Sequence, residues 1–246
     1  MIDRSGFSLL EWDSTFFERR IARATESEFS AHSVKRLLDE ARDQAIECLY
    51  LLVDADASEK VRAAEDAGFR LVDVRVTRER EAPAEEDRKM PEKIELGRAE
   101  DIPQLRAIAR KSHTDSRFYQ DPNFPSQRCD ALYETWIENA CMGASAGIVV
   151  ARPESDAVGY VTCEIQEPGL GSLGLVAVAA DEAGRGYGGG MVKGALGWLA
   201  NEGCTQIRVV TQARNINATR LYEANGFRTI SVENSYHLWL GKESTG

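Results

Sequence analysis

The 246-residue chain has only three histidines and five cysteines, Cys48, Cys129, Cys141, Cys163 and Cys204, and no two cysteines stand in a CxxC pair. An odd, scattered set of thiols excludes a disulfide framework and gives no zinc-ligand spacing, so no metal is expected and the compartment is read as cytoplasmic. No stretch approaches the run of about 20 apolar residues that a membrane helix needs, and the N-terminus lacks the basic start and apolar core of a signal peptide. Positive charge is also short: 30 Lys and Arg stand against 40 Asp and Glu, a net charge of −10. A phosphate backbone would be repelled, so neither nucleic acid nor membrane is an expected partner. What is present is ordinary for a soluble globular protein, 43% hydrophobic and 28% charged residues, in a length that suits one large domain or a domain with a smaller companion.

The sharpest change in composition falls where charges and two prolines crowd together around REREAPAEEDRKMPEK. It divides the chain into residues 1–80, a small α/β domain; 81–92, a charged linker; and 93–246, a larger domain. In the first part, LLEWDSTFF and ATES read as extended segments, residues 33–47 as a helix and 48–53 as a buried strand. A short helix over 58–67 and a strand over 70–76 follow. In the second part, 93–96 reads as a strand and Asp101 as the cap of a helix carrying Pro103 in its first turn. Residues 113–128 form a polar, aromatic-bearing loop before a helix over 129–140. Strands at 148–151, 158–165 and 172–179 form an antiparallel meander; then come a helix over 186–202, a strand at 207–212, a helix at 217–224 and closing strands at 227–240. AAEDAGFRLVDV (residues 63–74) also lines up with LYEANGFRTISV (221–232), which reflects either duplication or convergence on one Gly-Phe helix cap.

The strongest chemical signal is the strand, DEAGRGYGGG turn and helix at residues 181–190. Glycines at 184, 186, 188, 189 and 190 let several backbone N–H groups turn inward at the positive end of the helix, which suits a pyrophosphate. A P-loop is excluded because Lys193 is followed by Gly194, not Ser or Thr. A dinucleotide fingerprint is disfavoured because the next strand ends in Thr211 and Gln212, without an acid for the ribose.

These residues resemble the acetyl-coenzyme A site of the GNAT acyltransferase superfamily over roughly residues 93–240. Gly186 and Gly188 match its [QR]xxGx[GA] turn, and Asn215, Ala218, Leu221, Tyr222, Gly226 and Phe227 match its NxxAxxLYxxxGF segment. The [QR] position is held by Ala183, a departure that removes one side chain from the phosphates and leaves the backbone amides.

The resemblance implies a mixed α/β fold with a mostly antiparallel central sheet, preceded by a small α/β domain that could be a degenerate half of the same fold. It implies acetyl-CoA as donor and coenzyme A as product, held by Val176, Ala177, Val178, Gly184, Arg185, Gly186, Tyr187, Gly188, Gly189, Asn215 and Ala218. One amide at Val176–Val178 would meet the oxyanion, Tyr222 would be the general acid, and Asn215 could equally cap its helix. Glu164 is the candidate base, with a solvent-facing or ion-paired strand glutamate as its alternative. The segments Trp12–Phe17 and Asp115–Pro125 narrow the resemblance to N-acetyltransferases of dTDP-linked 4-amino-4,6-dideoxy sugars. The acceptor would then be a nucleotide sugar held by Arg117, Phe118 and Tyr119. Another amine (a protein N-terminus, a polyamine, an aminoglycoside) or a non-catalytic acyl-CoA sensor are the alternatives, and the closing strand allows a homodimer.

Overall fold

The computed structural model describes residues 6–25 and 29–241; Glu26 and Ser27 of the ATES segment lie outside them. Along the chain run β1 (Phe7–Leu9), α1 (Glu11–Phe17), β2 (Ile21–Ala24), α2 (Val34–Asp43), β3 (Cys48–Asp54), α3 (Ser58–Asp66) and β4 (Arg70–Glu81). Then come β5 (Ile94–Leu96), α4 (Ile102–Lys111), α5 (Arg117–Gln120), α6 (Ser126–Asn139), β6 (Gly147–Ala151), β7 (Gly159–Glu167) and β8 (Leu170–Val178). The chain closes with α7 (Tyr187–Asn201), β9 (Gln206–Gln212), α8 (Ile216–Ala224) and β10 (Arg228–Trp239). The fold is mixed α/β with mostly antiparallel pairing, as expected from the sequence.

Contacts group the residues into two compact units. One takes residues 1–75, 117–124 and 232–246, and the other 76–116 and 125–231. These units do not follow the expected 1–80, 81–92 and 93–246 segments, because two later stretches pack with the N-terminal residues. In the first unit the strand order is β1-β2-β3-β10, with β1/β2 and β3/β10 antiparallel and β2/β3 parallel. One face of this sheet supplies Leu49, Leu51, Val53 and Tyr236 to a core closed by Leu37 and Ala41 of α2 and Ala63 and Ala64 of α3. In the second unit the order is β4-β9-β8-β7-β6-β5, antiparallel from β5 to β8 and parallel at β8/β9. Its core joins Val161 and Cys163 of β7 to Met191, Val192, Ala195 and Leu199 of α7.

Three local readings are corrected. Residues 11–17 are a helix, not extended: Trp12 and Phe16, four residues apart, stack at 5.1 Å, and Glu18 closes the helix at φ 55°. The strand read to residue 76 continues to Glu81, because its charged residues are paired. Arg78 bonds Glu223 at 3.2 Å, Glu79 takes Arg208 at 2.7 Å, and Arg80 reaches the Asn225 carbonyl. Asp101 does not cap α4 through its side chain; it accepts the Arg98 N–H at 2.8 Å and pairs with Arg152 at 2.7 Å.

The sequence echo has a shared geometry. Gly68 and Gly226 sit at φ 85° and 81°, Phe69 N bonds Ala64 O, and Phe227 N bonds Tyr222 O, each at 3.0 Å. Both helices therefore end in the same left-handed glycine turn with a phenylalanine behind it.

Candidate active site

The second unit carries an interrupted ladder. On β7/β8, Val161 pairs with Val176 but Cys163 pairs with Leu173, so β8 holds one extra residue, a bulge at Gly174–Leu175 opposite Thr162. The bulge lies just before the Val176–Val178 segment singled out in the sequence. Ala179 donates its N–H to Val158 O at 2.8 Å on the β7 side. Main-chain groups alternate sides along a strand, so Ala177 also faces β7, while the N–H groups of Val176 and Val178 face β9. The β8/β9 pairing runs from Leu170↔Gln206 only to Leu173↔Val209, although both strands continue. Those two amides therefore project past the end of the β8/β9 ladder, as donors available to a carbonyl oxygen.

The glycine-rich turn follows β8. Gly184 and Gly186 have φ of 80° and 87°, values that glycine adopts without a Cβ penalty, and Gly186 is the N-cap of α7. A Cβ at 184, 186 or 189 would meet nothing within 4 Å, and one at Gly188 would lie 3.7 Å from Leu221 and 3.8 Å from Val178. The turn is thus open on its outer side and seated against β8 and α8 on its inner side. The first-turn N–H groups of this 15-residue helix lack intrahelical acceptors, which gives the donor set and the positive dipole end that a pyrophosphate requires. Arg185 is mostly exposed and lies 3.1 Å from Glu182, so its charge is partly met within the turn. Tyr187 and Ala218 pack against the core of this unit.

Asn215 is seen in its capping role: its Oδ1 accepts the Ala218 N–H at 2.9 Å at the start of α8. One turn further on, Tyr222 is buried and meets Phe227 edge-to-face at 5.7 Å. Burial pushes its phenol well above the ordinary tyrosine value, so it stays protonated at neutral pH. Tyr222 belongs to the core on the α7 face, with Val161 and Cys163 of β7. Thr162 and Glu164 alternate with those residues and point to the opposite face. Glu164 is half-buried and accepts a hydrogen bond from Ser145 Oγ at 2.6 Å. A Cβ on Gly174 would sit 3.4 Å from Glu164 Oε1, which places this carboxylate beside the bulge.

Sequence reasoning missed Ser145 and Thr162. Thr162 had a signal, its two-residue spacing from Glu164; Ser145 reaches Glu164 across 19 residues and had none. On the same face Tyr160 Oη bonds His113 Nε2 at 2.9 Å, and His113 stacks on Tyr133. Burial lowers the His113 pKa to about 4, so it is a neutral structural partner at pH 7.

The residues expected to hold the acceptor lie in the first unit. The Arg117 guanidinium stands 4.2 Å over the Tyr50 ring and 4.6 Å over Phe118. Phe118 is only 3% exposed, packed against Phe17 and Phe124, so its faces serve the aromatic cluster and not a ligand. Tyr119 is half-buried. Within the same cluster His237 is tied to Asp121 at 2.7 Å and stacks on Tyr50. Among the described residues no group of His, Cys, Asp and Glu could hold a metal ion, and no helix is long and apolar enough to cross a membrane.

A β-bulge, a parallel ladder that stops before its strands end and a glycine-rich helix start fit the acyl-coenzyme A site that the sequence resemblance implies. The sequence profile of the Acetyltransferase (GNAT) family matches residues 106–227, so the chain carries a GNAT-family acetyltransferase domain. Among curated proteins, the spore coat polysaccharide biosynthesis protein SpsD of Bacillus subtilis is 28% identical over 63% of this chain and 54% of its own length. The dTDP-fucosamine acetyltransferase of Escherichia coli O6:H1 is 32% identical over 57% of this chain and 58% of its own length. The alignments thus span a little over half the length of these curated relatives. A GCN5-related N-acetyltransferase from Sphaerobacter thermophilus shares the fold, with a TM-score of 0.59 at 14% identity over 89% of this chain and 72% of its own.

Proposed function

We propose that this protein is an N-acetyltransferase that moves an acetyl group from acetyl-CoA to the 4-amino group of a dTDP-linked 4-amino-4,6-dideoxy sugar. The observation that carries the transferase reading is the conjunction of two β8 amides beyond the end of the β8/β9 ladder, the positive-φ glycine turn and the buried Tyr222. The nucleotide-sugar acceptor is supported by the similarity to dTDP-fucosamine acetyltransferase.

Acetyl-CoA, when bound, supplies an acyl carbon activated as a thioester. The amides of residues 184–189 would hold its pyrophosphate, and the amide of Val176 or Val178 would receive the carbonyl oxygen as negative charge develops there. As the acceptor nitrogen forms its bond to the acyl carbon, the carbon–sulfur bond breaks and Tyr222 gives its phenolic proton to the departing sulfur. Glu164, directly or through water, takes the proton that the amine releases. Arg117 and Tyr119 are assigned to the nucleotide sugar, Arg117 as the cation for a phosphate. A soluble, cytoplasmic setting belongs to this same reading.

The test is thiol release from acetyl-CoA against dTDP-4-amino-4,6-dideoxy sugars, polyamines, aminoglycosides and peptides, with product masses. The expected result is one new acetyl group on a dTDP-4-amino sugar. Acetylation of another amine alone would remove the sugar assignment, and coenzyme A binding without transfer to any of them would favour the sensor.

A further inference from the structure

We propose that Thr162 is a positioning residue for acyl transfer: its hydroxyl locks the β8 bulge in the form that turns the Val176 and Val178 amides toward the thioester. This rests on the transferase reading above and adds a residue to it. Thr162 is 2% exposed, and its Oγ1 accepts the Leu175 N–H at 2.8 Å. Leu175 is the extra residue of β8, and in a regular ladder its N–H would find a main-chain carbonyl across the strand pair. The threonine side chain takes that role and satisfies a half-buried donor that the ladder leaves without a main-chain acceptor.

Gly174 completes the lock. A Cβ there would stand 2.5 Å from Thr162 Oγ1, so the absence of a side chain at 174 lets the hydroxyl reach the amide behind it. The amide of Val176 is the next along the chain, so the phase of alternation at Val176 and Val178 is fixed by how the extra residue is accommodated. Without the hydroxyl, Leu175 must seek another acceptor, and the strand can do so only by rotating the peptides that follow. A displacement of about 1 Å in a catalytic donor is enough to cost on the order of 100-fold in rate.

The experiment compares the wild type with Thr162→Val, which keeps the shape and loses the acceptor, and Thr162→Ser, which keeps the acceptor and loses the methyl. Steady-state kinetics with the best acceptor are read beside amide hydrogen exchange at residues 174–178. Thr162→Val is expected to lower kcat at least tenfold with the KM for acetyl-CoA within twofold, and to lose protection at Leu175; Thr162→Ser should restore both. Gly174→Ala, which pushes the hydroxyl aside, should reproduce the valine result. A folded Thr162→Val with unchanged kcat, or with Leu175 still protected, overturns the proposal, as does a serine variant no better than valine. If the wild type transfers nothing, the transferase reading fails on its own, and hydrogen exchange at Leu175 still decides whether the threonine holds the bulge.

Discussion

Replacing Tyr222 by phenylalanine is expected to lower kcat by about 10²–10⁴-fold, the range that a general acid contributes, while the affinity for acetyl-CoA stays within about twofold. The substitution removes one oxygen. The ring remains in the core with its edge-to-face contact to Phe227, and the hydroxyl makes no hydrogen bond with another side chain among the described residues, so thermal stability should hardly move. Because burial raises the pKa above the ordinary value of about 10, Tyr222 remains protonated below pH 10 and creates no alkaline limb in that range. Steady-state kinetics and a melting curve of the same preparation check the expectation. A phenylalanine variant as active as the wild type would take the proton-donor role from Tyr222.

The second large effect concerns stability. Asp121→Ala is expected to destabilise the first unit by at least about 1–3 kcal/mol, the cost of leaving one buried donor without its acceptor. Asp121 is 3% exposed, and its Oδ2 accepts from His237 Nδ1 and Trp239 Nε1, both at 2.7 Å. Its Oδ1 accepts from the Asn123 N–H at 3.0 Å and from Asn123 Nδ2 at 2.8 Å. Burial alone would raise the pKa of this carboxyl, and these hydrogen bonds overcome that and hold it below the usual range. The alanine variant would leave four donors without their acceptor.

His237 adds an acid sensitivity of definite sign: burial lowers its pKa to about 4 against the opposing pull of Asp121. The unfolded chain therefore binds a proton near pH 6.5 that the folded chain refuses until about pH 4. Stability falls as pH drops through that window. Denaturant unfolding at pH 7 and pH 5 measures both effects, and an alanine variant as stable as the wild type would show that the buried contacts contribute nothing net.

How much of this was legible depends on whether the signal was local. The glycine turn, the N-cap of α8 and the Gly-Phe caps are each written within a few consecutive residues, so their place in the chain could be read directly. The helix at Glu11–Phe17 was missed because Trp12, Phe16 and Phe17 satisfy strand preference as well as helix spacing. The extension of β4 was missed because its charged residues pair with Glu223, Arg208 and the Asn225 carbonyl, partners more than 100 positions away. Phe118 illustrates the same limit: an aromatic residue in a polar loop fits a ligand platform or a buried anchor equally well until Phe17 and Phe124 are seen against it. The resemblance pointed to an amide at Val176–Val178, and the bulge at Gly174–Leu175 just before it became visible only with the β7/β8 register.

The most direct test of the whole account is calorimetric titration of coenzyme A into the wild type and Gly186→Val. At φ 87° a valine strains the backbone by about 1–3 kcal/mol, yet its Cβ would meet nothing within 4 Å, so the turn is disturbed without a clash in the core. The account predicts one site in the wild type and at least tenfold weaker binding in the variant, with the melting temperature lowered by about 2–12 °C, as that strain alone requires. A wild type that does not bind coenzyme A, or a variant that binds it equally well, would contradict the claim that this turn is the donor site.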